Sequence, residues 1–560
     1  MTNGQAEDVE LPGGGTSADG MSADGMSAGG PGARGGAGGL ALARAGLIVS
    51  GAYLASRVLG YVRVLVIGST LGASSDTDAF LAAFRIPDLI FQLVAAGTVA
   101  AALVPMVAGE LGTGRTSRAW HIVSTIASLM TVGLVILAAI AWLAAPALVP
   151  ILAPGFEGAQ LERTIELTRL MLLAPMFLAL GAVASSALNA HDRFAAAAIA
   201  PIVYNLAIIG AAFILTPTFG VNGLAIGVVA GSLGHLLVQL PPLARIGFRF
   251  TPNLDIGDPD VRQTLRLMGP RTVALGATQI TFLVATALAS GLPTGSVTAF
   301  TFAFTVFSIP LSVIGVPLGI VALPTLSRDL ARGAVDEFAA LMSRGVRLIV
   351  FLLLPLVGLG IALCTPATTL LFNHGQFTAE STALVASALV FLLLALPGEG
   401  LNTILVRAFY ADRDTRTPAL AAILGVILNV AIGVVAVRIL GWGLPGIAIG
   451  IAVGSTVEAA LLAILLQRRI PAFDPSPILR MGGPVAAASL AAGLVAAGVV
   501  SFADPALIGA PTSVRALVEL ALGGGAGVLA YLVLARALRL PELGLIMRLM
   551  SDTLSRLRPA

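Results

Sequence analysis

Long apolar runs separated by short polar stretches fill the chain from about residue 45 to 540. Runs able to cross about 30 Å of hydrocarbon as helix lie near 46–71, 77–107, 119–149, 164–189, 196–216, 222–243 and 263–291. They continue near 297–325, 338–365, 381–407, 418–438, 446–466, 480–502 and 515–538. The pattern predicts an all-α polytopic membrane protein with about 14 transmembrane helices. A β-barrel would show alternating segments of about ten residues instead. Residues 1–43 are rich in Gly, Ser, Ala and Asp, and repeat Met21-Ser-Ala-Asp-Gly as Met26-Ser-Ala-Gly-Gly. Such a stretch buries too little apolar surface to fold and is expected to be a disordered cytoplasmic tail. It lacks the basic start and short apolar core of a signal peptide. At the other end, 541–560 set Leu543, Ile546, Met547, Met550, Leu554 and Leu557 at helical spacing. An amphipathic helix on the inner leaflet and packing against the cytoplasmic loops both fit that spacing.

The runs repeat internally at a shift of about 220 residues. Ala79-Phe80 with Phe84 matches Ala299-Phe300 with Phe304, and Val104-Pro105 matches Leu323-Pro324. Gly220, Gly223, Gly227 and Gly231 match Gly443, Gly446, Gly450 and Gly454. Two pseudo-symmetric six-helix lobes are expected, over 44–250 and 251–470, then two additional helices over 471–540. Six helices is an even number, so both lobes enter the membrane in the same sense. Their relating axis then lies along the membrane normal, the parallel-repeat plan of transporters with a site between lobes.

Composition narrows the class. Hydrophobic residues make up 57% and charged residues 11%, with mean hydropathy +0.96. Soluble proteins average about 25% charged residues, so a soluble enzyme and a disordered protein are both excluded. All 32 basic residues are arginine, and the net charge is +3, which is no nucleic-acid signature. Arginines crowd the even-numbered connections, Arg115, Arg118, Arg245, Arg249, Arg468 and Arg469 among them. The odd-numbered connections hold only Arg163, Arg438 and Arg515. By the positive-inside bias both termini are expected in the cytoplasm. Cys364 is the single cysteine, so no internal disulfide forms. No metalloprotease, serine-hydrolase or phosphate-loop motif occurs. The expectation is therefore neither an enzyme nor an ATP-driven pump, with no cofactor and no metal.

Charges inside the first two helices carry the functional argument. An arginine at the centre of a membrane helix costs roughly 2.5–3.5 kcal/mol on insertion scales, yet Arg57, Arg63 and Arg85 lie there, with Asp76, Asp78 and Asp88. Guanidinium forks bind phosphate oxygens bidentately. Arg57, Arg63, Asp78, Arg85 and Asp88 are therefore the candidate site for an anionic headgroup in a wet cavity. Static Arg–Asp pairing, for instance Arg63 with Asp78, would explain the same residues without transport. Pro87 is expected to kink the second helix. Arg169 and Arg271 lie nearer span ends and are expected to reach the headgroups. Asn205, Gln279 and Asn429 fit helix-to-helix glue, and Glu399 and Glu458 fit protonatable or cavity-facing groups. His235 and His374 read as structural.

Several of these residues fall into a recognisable order. Ser56-Arg57-Val-Leu-Gly60-Tyr-Val-Arg63, Thr77-Asp78-Ala-Phe80 and Phe84-Arg85-Ile-Pro87 resemble the opening of the MurJ/MviN lipid II flippases. Pro154-Gly155-Phe156, Leu188-Asn189-Ala190 with Arg193-Phe194, and Pro201 with Asn205 fit the same pattern. So do Leu326-Ser327-Arg328, Gly375-Gln-Phe377-Thr and Arg407 through Arg416-Thr-Pro418. The resemblance covers about 45–470. It implies the MOP exporter fold, a bacterial inner-membrane location, and transfer of undecaprenyl-diphosphate-linked peptidoglycan precursor from inner to outer leaflet for cell-wall synthesis. It implies that the arginines hold the diphosphate while the lipid tail stays in the bilayer. Its partners would be that lipid-linked glycan, membrane lipid, and candidate cell-wall synthesis or division proteins. Phe91-Gln92, Ala96 and Thr305 stand where the family carries charges, and Ala285 and Gly433 where an acid would bind a cation. Two alternatives therefore stay open: another MOP-type exporter, of lipid-linked polysaccharide or small cationic molecules, and a non-transporting membrane scaffold for cell-wall enzymes.

Overall fold

The computed structural model describes the backbone of residues 37–94, 98–506, 509–544 and 547–548, and side chains from residue 50 onward within these, except 98, 267–278 and 504–506. All regular structure among the described residues is helical. In lipid the backbone has no water to bond, so each crossing must satisfy its own amides as helix.

Fourteen longer helical segments follow in order among the described residues, with short helices at Thr216–Phe219 and Cys364–Phe372 between them. The first lobe holds α1 (Ala37–Leu71), α2 (Ser75–Val94, then Thr98–Gly112), α3 (Thr116–Leu152), α4 (Gly158–Ala190), α5 (Phe194–Ile214) and α6 (Val221–Arg245). The second holds α7 (Pro259–Ser290), α8 (Ser296–Ala331), α9 (Val335–Ala362), α10 (Ala379–Leu393 with Leu396–Ala411), α11 (Arg416–Ile439) and α12 (Leu444–Arg469). Then come α13 (Ser476–Ala503) and α14 (Thr512–Ala537). Twelve of these are long and apolar enough to cross a membrane. The two parts of α10, bent by 48°, make a thirteenth if counted as one span. The described part of α7 has an apolar stretch at Gln279–Ser290. The end of the bundle where α1 begins and α14 finishes is called proximal, and the opposite end distal.

The repeat seen in the sequence has a structural counterpart. Gly220 and Gly443, which precede α6 and α12, both take φ near +60° (57° and 61°) with ψ of −143° and −142°. Only glycine adopts that backbone without cost. Four residues apart beyond them, glycines let neighbouring helices touch. A Cβ on Gly231 would lie 2.8 Å from the Tyr204 carbonyl of α5, and one on Gly454 would lie 2.6 Å from the Gly425 carbonyl of α11.

Each lobe has its own core. Ile122, Ile126, Leu103 and Leu188 pack in the first, and Leu326, Phe338, Leu353 and Phe409 in the second. The two additional helices attach to α9 through Phe351, Val485, Ala492 and Tyr531. The Tyr531 hydroxyl donates to the Phe351 carbonyl at 2.8 Å. Beyond α14, Glu542 is buried and pairs with Arg347 of α9 at 3.4 Å. The first turn of the tail thus packs on protein.

α1 begins at Ala37, inside the stretch expected to be tail, where Ala and Leu favour helix. The remaining tail expectations, for 1–36 and from 549 onward, lie outside the described residues. So does the Arg271 side chain. Pro87 sits inside an uninterrupted helix, Ser75–Val94.

Candidate functional site

The lobes meet along a seam whose two halves differ. At the distal end it is dry. Phe300, Phe302, Phe307 and Phe377 are essentially fully buried there, in one cluster with Ile67, Phe80 and Phe156 of the first lobe. Phe302 stacks on Phe372 at 5.2 Å and on Phe377 at 5.6 Å. Polar bonds cross the same end. The Gln376 amide donates to the Ser69 carbonyl at 2.8 Å, and the Gly155 amide to Ser290 Oγ at 3.1 Å. Glycines permit these approaches, since a Cβ on Gly72 would lie 2.6 Å from the Gln376 carbonyl, and one on Gly295 2.8 Å from that of Ala73.

Asp78 belongs to this seal. Its Oδ2 accepts from the Gly295 amide at 2.7 Å, and its Oδ1 from the Thr298 amide at 2.8 Å and hydroxyl at 2.6 Å. The carboxylate of α2 thereby caps the N-terminus of α8, where unpaired amides and the helix dipole favour an anion. Thr298 is also the residue that the 220-residue shift places opposite Asp78, so repeat-equivalent positions bond across the pseudo-axis. The structure therefore separates Asp78 from the arginines with which the sequence grouped it. It also replaces the Arg63–Asp78 pairing, because the α8 amides already occupy both carboxylate oxygens.

Further in, the seam is charged and half-buried. With 1.5 Å per residue, Arg63 and Arg85 lie about 12 and 15 Å from the distal helix ends, and Arg57 about 21 Å. Arg85 donates from Nε to Thr286 and from Nη2 to Thr301, both at 3.1 Å, and lies 5.2 Å from the Phe282 ring. Arg57 donates to Ser312 of α8 and, at 2.9 Å, to the Tyr53 hydroxyl. Arg63 stacks over Tyr204 at 5.8 Å. Asp88 hydrogen-bonds the Gln92 side chain, one turn further along α2. Among the described residues, none of the three arginines sits within ion-pair distance of a carboxylate.

The α8 side of the seam is a stripe of hydroxyls: Thr298, Thr301, Thr305, Ser308 and Ser312, at alternating spacings of three and four. That spacing keeps them on one face of the helix, and it is the sequence signal that would have found the partners of Arg57 and Arg85. Thr301 and Ser312 donate their own protons to the Val297 and Ser308 carbonyls, at 2.8 and 2.9 Å. Their lone pairs remain for guanidinium donors. Ser312 lies in a π-helical turn, Leu311–Gly315, directly after Pro310, and such turns recur at functional sites.

The remaining polar candidates make other contacts. Asn205 is buried and donates to the Pro201 carbonyl at 2.9 Å and the Ser56 carbonyl at 3.4 Å, tying α5 to α1. Asn429 donates to Thr281 of α7 at 3.2 Å. His235 packs beside Gln239, and His374 bonds the Leu370 carbonyl at 2.8 Å. Arg169 stacks on Trp142 at 4.4 Å near the distal end. Glu399 and Glu458 are partly buried in α10 and α12.

The chain is similar to known membrane transporters. The family described as lipid II flippase MurJ matches residues 67–509. The chain is 32% identical to the lipid II flippase MurJ of Burkholderia cenocepacia over 444 residues, 78% of this chain and 86% of that one. It is 31% identical to a probable lipid II flippase MurJ of Rhizobium tropici over 443 residues, 77% of this chain and 82% of that one. A solved structure of lipid II flippase MurJ in an inward closed conformation superposes with TM-score 0.72 at 19% identity, covering 88% of this chain and 99% of that one. An inward-facing multidrug transporter of the MATE family, in the MOP superfamily, superposes with TM-score 0.63, covering 74% and 95%.

Proposed function

The chain belongs to the lipid II flippase MurJ family, and on that premise we propose that its charged seam receives the diphosphate of lipid II, with Arg57, Arg63 and Arg85 as the phosphate-binding groups. The protein is a multi-pass inner-membrane flippase and not an enzyme. It moves the lipid-linked peptidoglycan precursor between leaflets by alternating access. One observation carries the site assignment. Arg57 and Arg85 reach across from α1 and α2 to hydroxyls of the second lobe, and Arg63 lies beside them over the Tyr204 ring of α5, so the partners of all three are neutral hydroxyls and aromatic rings. A neutral hydroxyl satisfies geometry but not charge, so an entering diphosphate displaces it with a large electrostatic gain.

The proximal end is assigned to the cytoplasm, where the arginine-rich connections lie. The arrangement is then sealed toward the outside and available from within. Asp78 is assigned to the outer seal rather than to substrate. Rocking of the lobes breaks its bonds to the start of α8 and opens the other face. A transporter of small cations is disfavoured, because the seam offers three cations and one carboxylate. The test is complementation of a flippase-depleted cell, read as lipid II at the outer leaflet. Arg57→Ala, Arg63→Ala and Arg85→Ala, each inserted normally, are expected to fail. Full rescue by all three would leave only a scaffold or a different site.

A further inference from the structure

Two polar residues stand next to each other in α5, and both reach α1. The Asn205 amide donates to the Ser56 carbonyl at 3.4 Å, which fixes α5 against the helix that carries Arg57 and Arg63. Tyr204 meets Arg63 itself. Its ring centre lies 5.8 Å from the guanidinium carbon, and its hydroxyl is hydrogen-bonded to the same group. The ring has little room to swing. A Cβ on Gly231 of α6 would lie 3.1 Å from Tyr204 Cδ2 and 2.8 Å from the Tyr204 carbonyl, so α6 closes over one side of it. A ring packed this closely keeps one rotamer.

The second lobe repeats this framework without the charge. Asn429 of α11 donates to Thr281 of α7 at 3.2 Å, and it occupies the position that the internal repeat pairs with Asn205. The residue before it is Leu428, and α7 holds no arginine between Thr272 and Ser290. An asparagine therefore suffices to tie this pair of helices together. The tyrosine occurs in the lobe whose facing helix bears a cation, so its purpose lies with the cation rather than with the docking.

Arg63 has a competing partner. Asp88 of α2 lies close to both the Arg63 guanidinium and the Tyr204 hydroxyl, yet among the described residues Arg63 and Asp88 form no ion pair. In a partly desolvated seam a direct pair would be strong, and a paired arginine offers less charge to a phosphate. We propose that Tyr204 is a positioning residue for the substrate: its ring and hydroxyl hold Arg63 off Asp88 and aimed into the seam. A π face and a neutral oxygen attract a guanidinium without neutralising it. Arg63 is thereby oriented and keeps its charge for the diphosphate. This rests on the phosphate-binding role proposed above for Arg63.

The experiment is flipping by the full chain in proteoliposomes, measured as half-saturating lipid II and maximal rate. Tyr204→Phe keeps the ring and loses the hydroxyl, whereas Tyr204→Leu copies the second lobe. Half-saturation is expected to rise about threefold for Tyr204→Phe, the loss of one neutral hydrogen bond, and roughly tenfold for Tyr204→Leu, which also loses the cation–π contact. Maximal rates are expected to stay within about twofold, since the defect is in holding substrate. Asp88→Asn removes the competing carboxylate, so Tyr204→Leu combined with it is expected to bind within about threefold of Asp88→Asn alone. A tyrosine that only packs would give a loss that Asp88→Asn does not repair. If Tyr204→Leu inserts poorly, the same comparison is made with Tyr204→Phe, which preserves the packing. Parental half-saturation in both Tyr204 variants, or a loss that persists beside Asp88→Asn, overturns the inference. Arg63→Ala is measured in parallel. Parental half-saturation there removes the phosphate-binding reading and this inference with it. Impaired Arg63→Ala beside parental Tyr204→Leu removes the positioning role alone.

Discussion

The two halves of the seam use the same helices for opposite ends. Near the distal ends α2 meets α8 through a carboxylate capping backbone amides, among buried aromatic rings. Two turns further in, the same pair meets through Arg85 and a threonine hydroxyl, with the charge uncompensated at contact distance. The first contact is complete: every oxygen of Asp78 that faces the seam is bonded. The second is provisional, because neutral partners satisfy direction but leave the cation free to take an anion. On the proposed reading, a gate and a binding site share one interface in this way, and the gate must yield for the site to turn over.

Covalent closure is the strongest way to break that contrast. Ser69→Cys with Gln376→Cys, in a background where Cys364 is replaced by Ala, places two thiols where the chains already touch. Oxidation is expected to stop transport completely and reduction to restore it; transport by the cross-linked protein would show that the distal seam does not open. Next come the arginines. Loss of a charged hydrogen bond at about 1.5–3 kcal/mol implies a fall in outer-leaflet lipid II of roughly tenfold to a hundredfold for Arg85→Ala, with partial recovery for Arg85→Lys. An unchanged rate would detach the charged half from transport.

Asp78→Asn keeps the shape of the seal but removes its charge. It is expected to shift spin-label distances between the distal ends of α2 and α8 toward an open population, by about tenfold in the equilibrium if roughly 1.4 kcal/mol of cap interaction is lost. A distribution identical to the parent's would show that the aromatic packing alone closes the gate. The smallest effect belongs to a region outside the seam. Burial pushes the Asp258 carboxyl up, but the Val261 and Asp260 amides and the Arg118 guanidinium outweigh it and hold it below the usual carboxylate range. Its contribution is full above about pH 4 and is lost as pH falls through the lowered value. Asp258→Ala, which removes the N-cap of α7, is expected to cost about 1 kcal/mol at neutral pH and to flatten acid destabilisation. A melting curve whose acid limb is the same with and without Asp258 would exclude that role.

Much of this was readable from the chain. Apolar run length locates the crossings, because a helix has a fixed rise and the bilayer a fixed thickness. The glycine series at Gly220 and Gly443 announced the duplication, and its shared left-handed backbone follows from local chemistry alone. Arg57, Arg63 and Arg85 stood out since a cation in hydrocarbon needs a cause. Asp78 was grouped with them for an equally physical reason. It shares a helix face with Arg85, seven residues on, but ten ångströms of rise separate gate from site, and neighbours in sequence then serve different ends of the membrane.

Sequence by itself determined what each helix is, since propensity, length and polarity are properties of one segment against a uniform solvent. Which carboxylate finds which amide, and which arginine meets only a hydroxyl, was decided by tertiary structure. Those pairs come from segments more than two hundred residues apart, brought together by the docking of two lobes, and no local pattern encodes the register at which they touch.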